Sequence, residues 1–88
     1  MSRYAVEFTT AAAKEVRKLD PVVRRRILDR LRALELEPRP AGVRKLTGFD
    51  DAWRIRIGDY RVLYEIEHAT VLITVFRVAH RSAVYGEL

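Results

Sequence analysis

The chain contains no cysteine and only two histidines among its 88 residues. The missing thiols exclude disulfide bonds, thiolate metal sites and cysteine nucleophiles, and two histidines disfavour a metal site built from imidazoles. No apolar run approaches the roughly 20 residues that a membrane-spanning helix requires, and no charged segment followed by an apolar one opens the chain. We therefore expect a cytoplasmic protein that neither binds a metal ion nor inserts into a membrane.

Lysine is also scarce, although the chain is strongly basic. Fourteen arginines and only three lysines, against twelve acidic residues, give a net charge of +5. The guanidinium group is a planar, permanently charged fork that suits phosphate. This bias favours a polyanionic partner, and nucleic acid before a membrane surface, because no strongly apolar helix face opposes the basic residues. A basic surface that is merely solvated is the alternative.

Residues 52–66 predict a β-hairpin with one apolar face and one basic face. Gly58 and Asp59 suit a two-residue turn with glycine first, which sets Arg56 opposite Arg61. Alternation then divides the side chains into an apolar set, Trp53, Ile55, Ile57, Tyr60, Val62, Tyr64 and Ile66, and an opposite set, Arg54, Arg56, Arg61, Leu63 and Glu65. Two arginines directly across strands repel each other. We therefore expect an anion to bind between them.

Apolar spacing and capping residues predict the other elements. We expect a first strand at Arg3–Phe8 and then a helix capped by Thr9 or Thr10, with an apolar stripe of Ala12, Val16 and Leu19. A second helix begins at Asp20-Pro21, carries the apolar stripe Val23, Ile27, Leu28, Leu31 and Leu34, and is ended by Pro38 and Pro40. A basic connection follows at 39–50, and a central strand is expected at Val71–Ala79. A three-residue turn at Glu67-His68-Ala69 and a four-residue turn ending at Thr70 would direct opposite residues of that last strand to the core, and the sequence does not decide between them.

The resulting order β-α-α-β-β-β predicts an α+β fold. An N-terminal strand and an antiparallel helical hairpin precede a mainly antiparallel three-strand meander, and together they form a small sheet covered by helices. We expect residues 1–88 to be one domain, because the chain is long enough for a single modest core.

The basic face suits metal-free cleavage of RNA. Such a reaction needs a base for the ribose 2′-OH, an acid for the leaving 5′-oxygen, and cations for the charged phosphorane. Arginine supplies cations but stays protonated near neutrality. The segment from His80 to Tyr85 offers an imidazole, which titrates near neutrality, and a phenol. These groups reach the arginines if the last long strand lies beside the hairpin.

The order of these segments resembles the RelE toxins of the RelE/ParE superfamily. The resemblance extends over nearly the whole chain. It rests on four segments: Arg44-Lys45-Leu46-Thr47-Gly48, Trp53-Arg54-Ile55-Arg56, Gly58-Asp59-Tyr60-Arg61-Val62-Leu63-Tyr64, and His80-Arg81 followed by Val84-Tyr85. It implies a bacterial or archaeal toxin of a type II toxin–antitoxin pair that enters the ribosomal A site and cuts mRNA without a metal or other cofactor. The implied partners are the ribosome, mRNA and a cognate antitoxin, which we expect to be acidic.

The resemblance also implies roles for individual residues. Arg54 and Arg56 match positions that bind phosphate and assist proton transfer, and Arg61 matches a contact to the phosphate and the transition state. Arg81 matches an arginine that stabilises the leaving group. Tyr85 matches a tyrosine that stacks on or orients the cut nucleotide.

Further expectations concern RNA contacts and the proton acceptor. Arg44 and Lys45 join Arg54 and Arg56 as expected RNA-binding residues. The best-known family members carry lysine at those last two positions, and lysine becomes a base more readily than arginine. His80 is therefore a candidate proton acceptor, and a structural histidine at a strand end is the alternative.

Several other interpretations stay open at this stage. A ParE-like toxin would share the fold but inhibit DNA gyrase by binding, and a non-catalytic RNA-binding module would keep the basic face. We expect Trp53, Tyr60 and Tyr64 in the core rather than stacked on bases. The run Arg24–Arg26 fits a solvated helix face or an antitoxin contact, with ribosomal RNA as the alternative. His68 is expected on the surface, in a turn.

Overall fold

The computed structural model describes residues 3–84, and five strands form one sheet in the order β1-β5-β4-β3-β2. The elements are β1 (Ala5–Phe8), α1 (Thr10–Arg17), α2 (Pro21–Ala33), β2 (Arg44–Lys45), β3 (Ala52–Ile57), β4 (Tyr60–Glu67), β5 (Leu72–His80) and α3 (Arg81–Val84). Strand β1 runs parallel to β5, and the other pairs are antiparallel. The predicted α+β fold is confirmed, with the short elements β2 and α3 as additions.

The predicted hairpin of β3 and β4 is confirmed in every pair. Ile57 pairs with Tyr60 and Arg56 with Arg61 across the turn. Gly58 has a φ of 60°, a conformation that only glycine adopts without strain. A methyl group at Gly58 would also lie 3.2 Å from Nη1 of Arg26. The turn therefore favours glycine for its backbone, whereas the exposed side chain of Arg26 could shift to accommodate a methyl group.

Helices α1 and α2 cover the apolar side of the hairpin, which we call the helix face. Its core consists of Ala12, Val16, Ile27, Leu31, Leu34, Ile55, Ile57, Val62, Tyr64, Ile66, Ile73, Val75 and Val78. Tyr64 is fully buried and donates its hydroxyl proton to the carbonyl oxygen of Pro38 at 2.6 Å. Burial raises the pKa of Tyr64 to about 12. This bond fixes the segment that follows α2 to the middle of the sheet.

The helix ends differ in part from the sequence-based prediction. Thr9 caps α1 as expected, its hydroxyl oxygen accepting the backbone N–H of Ala12 at 3.1 Å. Asp20 occupies the N-cap position of α2, but its side chain makes no capping bond. Helix α2 ends at Ala33, before Pro38 is reached. In the described part of the chain, no helix is both long enough and apolar enough to cross a membrane.

The side chain of Arg24 closes the end of α1 instead of facing solvent on the outside of α2. Its guanidinium donates to the carbonyl oxygens of Val16, Arg17 and Leu19 at 3.3, 3.2 and 2.9 Å. These carbonyls belong to the last turn of α1 and its exit, where backbone acceptors lack intrahelical partners and a cation is favoured. The prediction of one solvated face is therefore wrong for Arg24, whereas Arg25 and Arg26 are exposed.

A β-bulge sets the direction of the second half of β5. Four residues, 68–71, separate the paired Glu67 and Leu72, so the turn ends one residue later than the predicted four-residue turn but directs the same residues of β5 to the core. The pairing then shifts between Leu63 and Tyr64, and Phe76 is the extra residue. Beyond the bulge, Ala79 pairs with Arg61.

Glu15 of α1 stabilises this bulge. One carboxylate oxygen accepts the backbone N–H of Val78 at 2.7 Å, and the other lies 3.4 Å from Nε of Arg77. Val78 follows the last residue of β5 that pairs with β1, Val75. The carboxylate thus satisfies a backbone N–H that, within residues 3–84, has no neighbouring strand on that side.

Candidate functional site

The sheet face opposite the helices, which we call the basic face, carries three of the predicted site residues. Arg56 and Arg61 are direct cross-strand partners, and Arg54 pairs with Leu63, two residues further along the hairpin. Same-face residues of one strand are about 6.8 Å apart, so these side chains share one region. Arg54 and Arg61 are half-buried and Arg56 is exposed. The structure therefore brings the three hairpin arginines together.

Arg81 reaches the same region through a backbone contact. Its N–H donates to the carbonyl oxygen of Asp59 at 2.8 Å, which ties the start of α3 to the hairpin turn. Sequence periodicity could not show this bond, because it joins two segments through main-chain atoms. We call Arg54, Arg56, Arg61 and Arg81 the guanidinium cluster.

The guanidinium cluster is electrostatically unfavourable in itself. Burial lowers the pKa of Arg61, and the charges of Arg56, Arg54 and Arg81 lower it further, while Asp59 acts in the opposite direction. Three neighbouring cations thus disfavour the charge on a residue that has one opposing carboxylate. A bound anion would reverse this balance.

Two guanidinium donors of the cluster lack an acceptor within the described residues. Nε of Arg54 and Nη1 of Arg61 are both buried, and neither has a hydrogen-bond partner there. An unsatisfied buried donor costs about 1–3 kcal/mol. Oxygen atoms of a phosphate group would satisfy such donors with charge-assisted bonds. The geometry therefore suits an anion with several oxygen atoms.

The two other predicted RNA contacts lie on the edge strand β2. Arg44 pairs with Arg54, so it extends the cationic surface beyond the guanidinium cluster. Lys45 pairs with Trp53, a residue of the helix face. Both cations are exposed. At the other end of the hairpin, the guanidinium of Arg26, a member of the run Arg24–Arg26 on α2, lies over the turn at Gly58; the sequence alone did not show this contact.

His80 lies at the end of β5, on the side of the sheet opposite Arg61. It pairs with Tyr60, and the two rings meet edge to face with centroids 5.5 Å apart. The backbone N–H of Ser82 donates to Nδ1 of His80 at 3.3 Å, and the Ser82 hydroxyl lies 3.0 Å from the same atom. Nδ1 is thus an acceptor, which puts the proton of the neutral ring on Nε2. The bulge in β5 produces this orientation. Tyr85 lies outside the described residues.

The remaining aromatic and histidine predictions concern the core and the turn that follows β4. Trp53 and Tyr60 pack against the core and Tyr64 lies within it, as expected. His68 is half-exposed in the turn, where Nε2 lies 2.9 Å from Asp51 and Nδ1 lies 2.7 Å from the Tyr4 hydroxyl. Among residues 3–84, no three side chains of His, Asp or Glu gather as metal ligands would.

Comparison with known proteins gives this arrangement a family. A family model described as the ParE toxin of the type II toxin–antitoxin system parDE matches residues 6–85. The toxin RelG of Mycobacterium tuberculosis is 34% identical over 86 residues, with 93% of this chain and 95% of RelG covered. The chain belongs to the RelE toxin family. The family thus accounts for nearly the whole sequence.

Two further RelE proteins support the same assignment. The mRNA interferase toxin RelE of Escherichia coli is 33% identical over 88 residues, with 96% of this chain and 92% of RelE covered. In the archaeal RelE–RelB complex from Pyrococcus horikoshii, a chain that is 32% identical superposes with a TM-score of 0.79, covering 90% of this chain and 96% of that one. The α+β architecture is therefore that of RelE.

Proposed function

We propose that the protein is a ribosome-dependent endoribonuclease that inhibits translation by cutting mRNA in the ribosomal A site. The observation that carries this proposal is the guanidinium cluster with its two buried, unsatisfied donors. A relative that is 33% identical is named an mRNA interferase toxin. We place the activity in the cytoplasm, where translation takes place, and in a single toxin domain over residues 1–88.

The proposed reaction transfers the phosphoryl group within the RNA and requires no metal ion. The 2′-OH gives its proton to the proton acceptor and its oxygen attacks the adjacent phosphorus. The bond to the 5′-oxygen breaks and that oxygen takes up a proton from water, so that a 2′,3′-cyclic phosphate and a free 5′-hydroxyl form. Arg61 is aimed at the phosphorane, Arg54 and Arg56 bind the phosphate, and Arg81 stabilises the leaving oxygen. Guanidinium groups stabilise a phosphorane by charge and hydrogen bonds, as positioned donors do at other oxyanions.

The proton acceptor is assigned on chemistry. Of the two histidines in the chain, His80 is the one whose strand end adjoins the guanidinium cluster. Its ring lies on the helix face, so it takes the proton of a 2′-OH bound on the basic face only through a bridging water molecule at the end of β5. Tyr85 is proposed to stack on or orient the cut nucleotide. Arg44 and Lys45 are proposed to contact the RNA from the edge strand β2.

Mapping of mRNA 5′ ends after induced expression tests the proposal. We expect cuts in phase with codons, and we expect the Arg61→Ala variant to produce none. Arg30→Ala is the matched control, because it removes one exposed charge from α2 and should leave the cuts unchanged. Random or absent cleavage by the wild type would refute the nuclease assignment.

A second candidate function follows from the family model, which carries the name of ParE. A ParE-like toxin would inhibit DNA gyrase by binding and would leave mRNA intact. A supercoiling assay run in parallel distinguishes the two. Inhibited supercoiling without mRNA cuts would favour the gyrase inhibitor, whereas a basic face that binds RNA without either effect would indicate a non-catalytic RNA-binding module.

We also propose a net-acidic antitoxin as the partner. The chain has a net charge of +5, and covering the basic face with negative charge would offset the repulsion within the guanidinium cluster. A relative from P. horikoshii was crystallised as a RelE–RelB complex. Co-expression with the product of an adjacent gene should relieve growth arrest and give a stable complex. If no neighbouring small protein does so, the toxin–antitoxin assignment of this chain fails.

A further inference from the structure

Two phenylalanines that the proposed reaction does not use lie together on the basic face. The rings of Phe49 and Phe76 have centroids 5.7 Å apart and are tilted by 33°. Phe76 packs on a small apolar cluster formed by Leu46, Ala52 and Leu63. Phe49 is 45% exposed. Phe49 and Phe76, which we call the phenyl pair, therefore present aromatic surface to solvent.

The phenyl pair is continuous with the guanidinium cluster. Leu63, which packs against Phe76, is the direct cross-strand partner of Arg54. It also lies two residues from Arg61 on β4, about 6.8 Å along the same face. A strand of RNA whose phosphate is bound by Arg54 and Arg61 would reach the phenyl pair with a neighbouring nucleotide.

The loop before β3 holds Phe49 in this position. The N–H of Leu46 donates to the carbonyl oxygen of Ala52 at 2.9 Å, which closes the loop at its base. Gly48 turns the chain with a φ of 88°, and Leu46 is buried on the basic face. The exposed ring is thus carried by a loop that is anchored on both sides.

The charges around the phenyl pair select what can bind there. Asp50 follows Phe49 and Glu65 pairs with Ala52, and both carboxylates are exposed. They repel a phosphate placed over the rings, and they equally repel an acidic protein segment. An uncharged nucleobase avoids this repulsion and has a π-face for the exposed ring. Aromatic rings beside a cationic track are the usual composition of single-strand binding sites.

We propose that the phenyl pair is a base-stacking subsite for the nucleotide next to the phosphate bound by Arg54 and Arg61. This inference rests on the proposed function and adds to it a residue, Phe49, that positions the RNA. Stacking tolerates every base, because each has a π-face. From the usual effect of removing such a ring, we expect a loss of roughly 5- to 150-fold in apparent RNA affinity.

Single-turnover cleavage on programmed ribosomes tests the subsite with the full chain. The mRNA carries one abasic nucleotide, placed in turn at each position beside the cut. We expect Phe49→Ala to raise the toxin concentration for half-maximal rate roughly 5- to 150-fold on intact mRNA. The maximal rate should change little, and one abasic position should abolish the difference from wild type. Phe49→Trp should retain the wild-type behaviour.

The control variant is Leu36→Ala, which removes another exposed apolar side chain, 65% exposed and grouped with Asp29 and Arg32 of α2. If the wild type cuts with dependence on Arg61 while Phe49→Ala cuts normally, the subsite is refuted and the nuclease assignment stands. If Phe49→Ala weakens only an antitoxin complex, the phenyl pair is a protein-docking surface and the inference is wrong. If the wild type does not cut, the proposed function fails, and the subsite fails with it.

Discussion

Replacing Arg61 by alanine should separate chemistry from folding. The side chain lies among Arg54, Arg56 and Arg81, and its Nη1 is buried without an acceptor in the described part of the chain. Removal of a donor aimed at a developing charge typically costs about 2.7–4 kcal/mol of transition-state stabilisation. We therefore expect single-turnover cleavage to fall roughly 100- to 1,000-fold.

The stability of the same variant should hold or rise. The change removes a direct repulsion from Arg56, of the order of 0.2–1 kcal/mol for a cross-strand pair, and a buried unpaired N–H that costs about 1–3 kcal/mol. Against this stands the lost packing of a half-buried stem, about 0.8 kcal/mol for each buried methylene group. The net change in the free energy of unfolding therefore lies near zero or favours the variant. Thermal unfolding, in which about 1 kcal/mol corresponds to a few degrees, measures it.

Inorganic phosphate supplies an independent assay of the anion site. A ligand that binds the folded state at 100 times its Kd raises the unfolding free energy by about 2.7 kcal/mol. We expect phosphate to raise the melting temperature of the wild type and of Arg25→Ala, but much less that of Arg61→Ala. If both Arg61→Ala and Arg56→Ala lose several kcal/mol of stability, these residues support the fold and the anion-site argument is wrong.

Three further predictions concern stability and the proton acceptor. Tyr64→Phe should lower the free energy of unfolding by about 1–3 kcal/mol, because the Pro38 carbonyl loses its donor. In the wild type the pKa of Tyr64 in the folded state, about 12, exceeds that in the unfolded state, so the unfolding free energy should fall as pH rises from about 10 to 12. Urea titrations of the variant should lack this pH dependence. Arg24→Ala should lower the free energy of unfolding by about 1.5–3 kcal/mol in the same titrations, because three carbonyl oxygens lose a charged donor. Arg25→Ala should leave it unchanged, and equal effects of the two variants would contradict the capping role of Arg24. If the imidazole takes the proton of the 2′-OH, His80→Gln should lose most single-turnover cleavage and keep ribosome binding. Near-normal cleavage rates in both His80→Gln and Tyr85→Phe would assign the proton acceptor to the ribosome or the RNA.

The hairpin could be predicted from sequence because its determinants are local. Strict alternation fixes which side chains share a face, and the Gly58-Asp59 turn fixes which residues pair. Together these two features place Arg54, Arg56 and Arg61 on one surface before any tertiary contact is known. The same reasoning identifies Tyr64 as a core residue, although it does not show that its hydroxyl binds the carbonyl oxygen of Pro38.

The surroundings of the hairpin could not be predicted in this way, because they depend on contacts between distant segments. The bulge in β5 is stabilised by Glu15, which is 63 positions away from Val78 in the chain. Without that extra residue, alternation along β5 would turn His80 toward the basic face. A side chain's place on a face at the end of a strand thus depends on every irregularity before it.

The division of the sheet into two faces explains how the fold tolerates its own charge repulsion. Large buried side chains such as Tyr64, Ile27 and Leu31 lie on the helix face, so the hydrophobic stabilisation of the fold does not depend on the arginines. The basic face can therefore hold cations that repel one another and donors that lack acceptors, at a cost that the opposite face offsets. The oxygen atoms of a phosphate would satisfy these donors. The binding of an anion would relieve a repulsion that the free protein already contains, so any affinity for phosphate and the destabilisation of the free state would have the same physical origin.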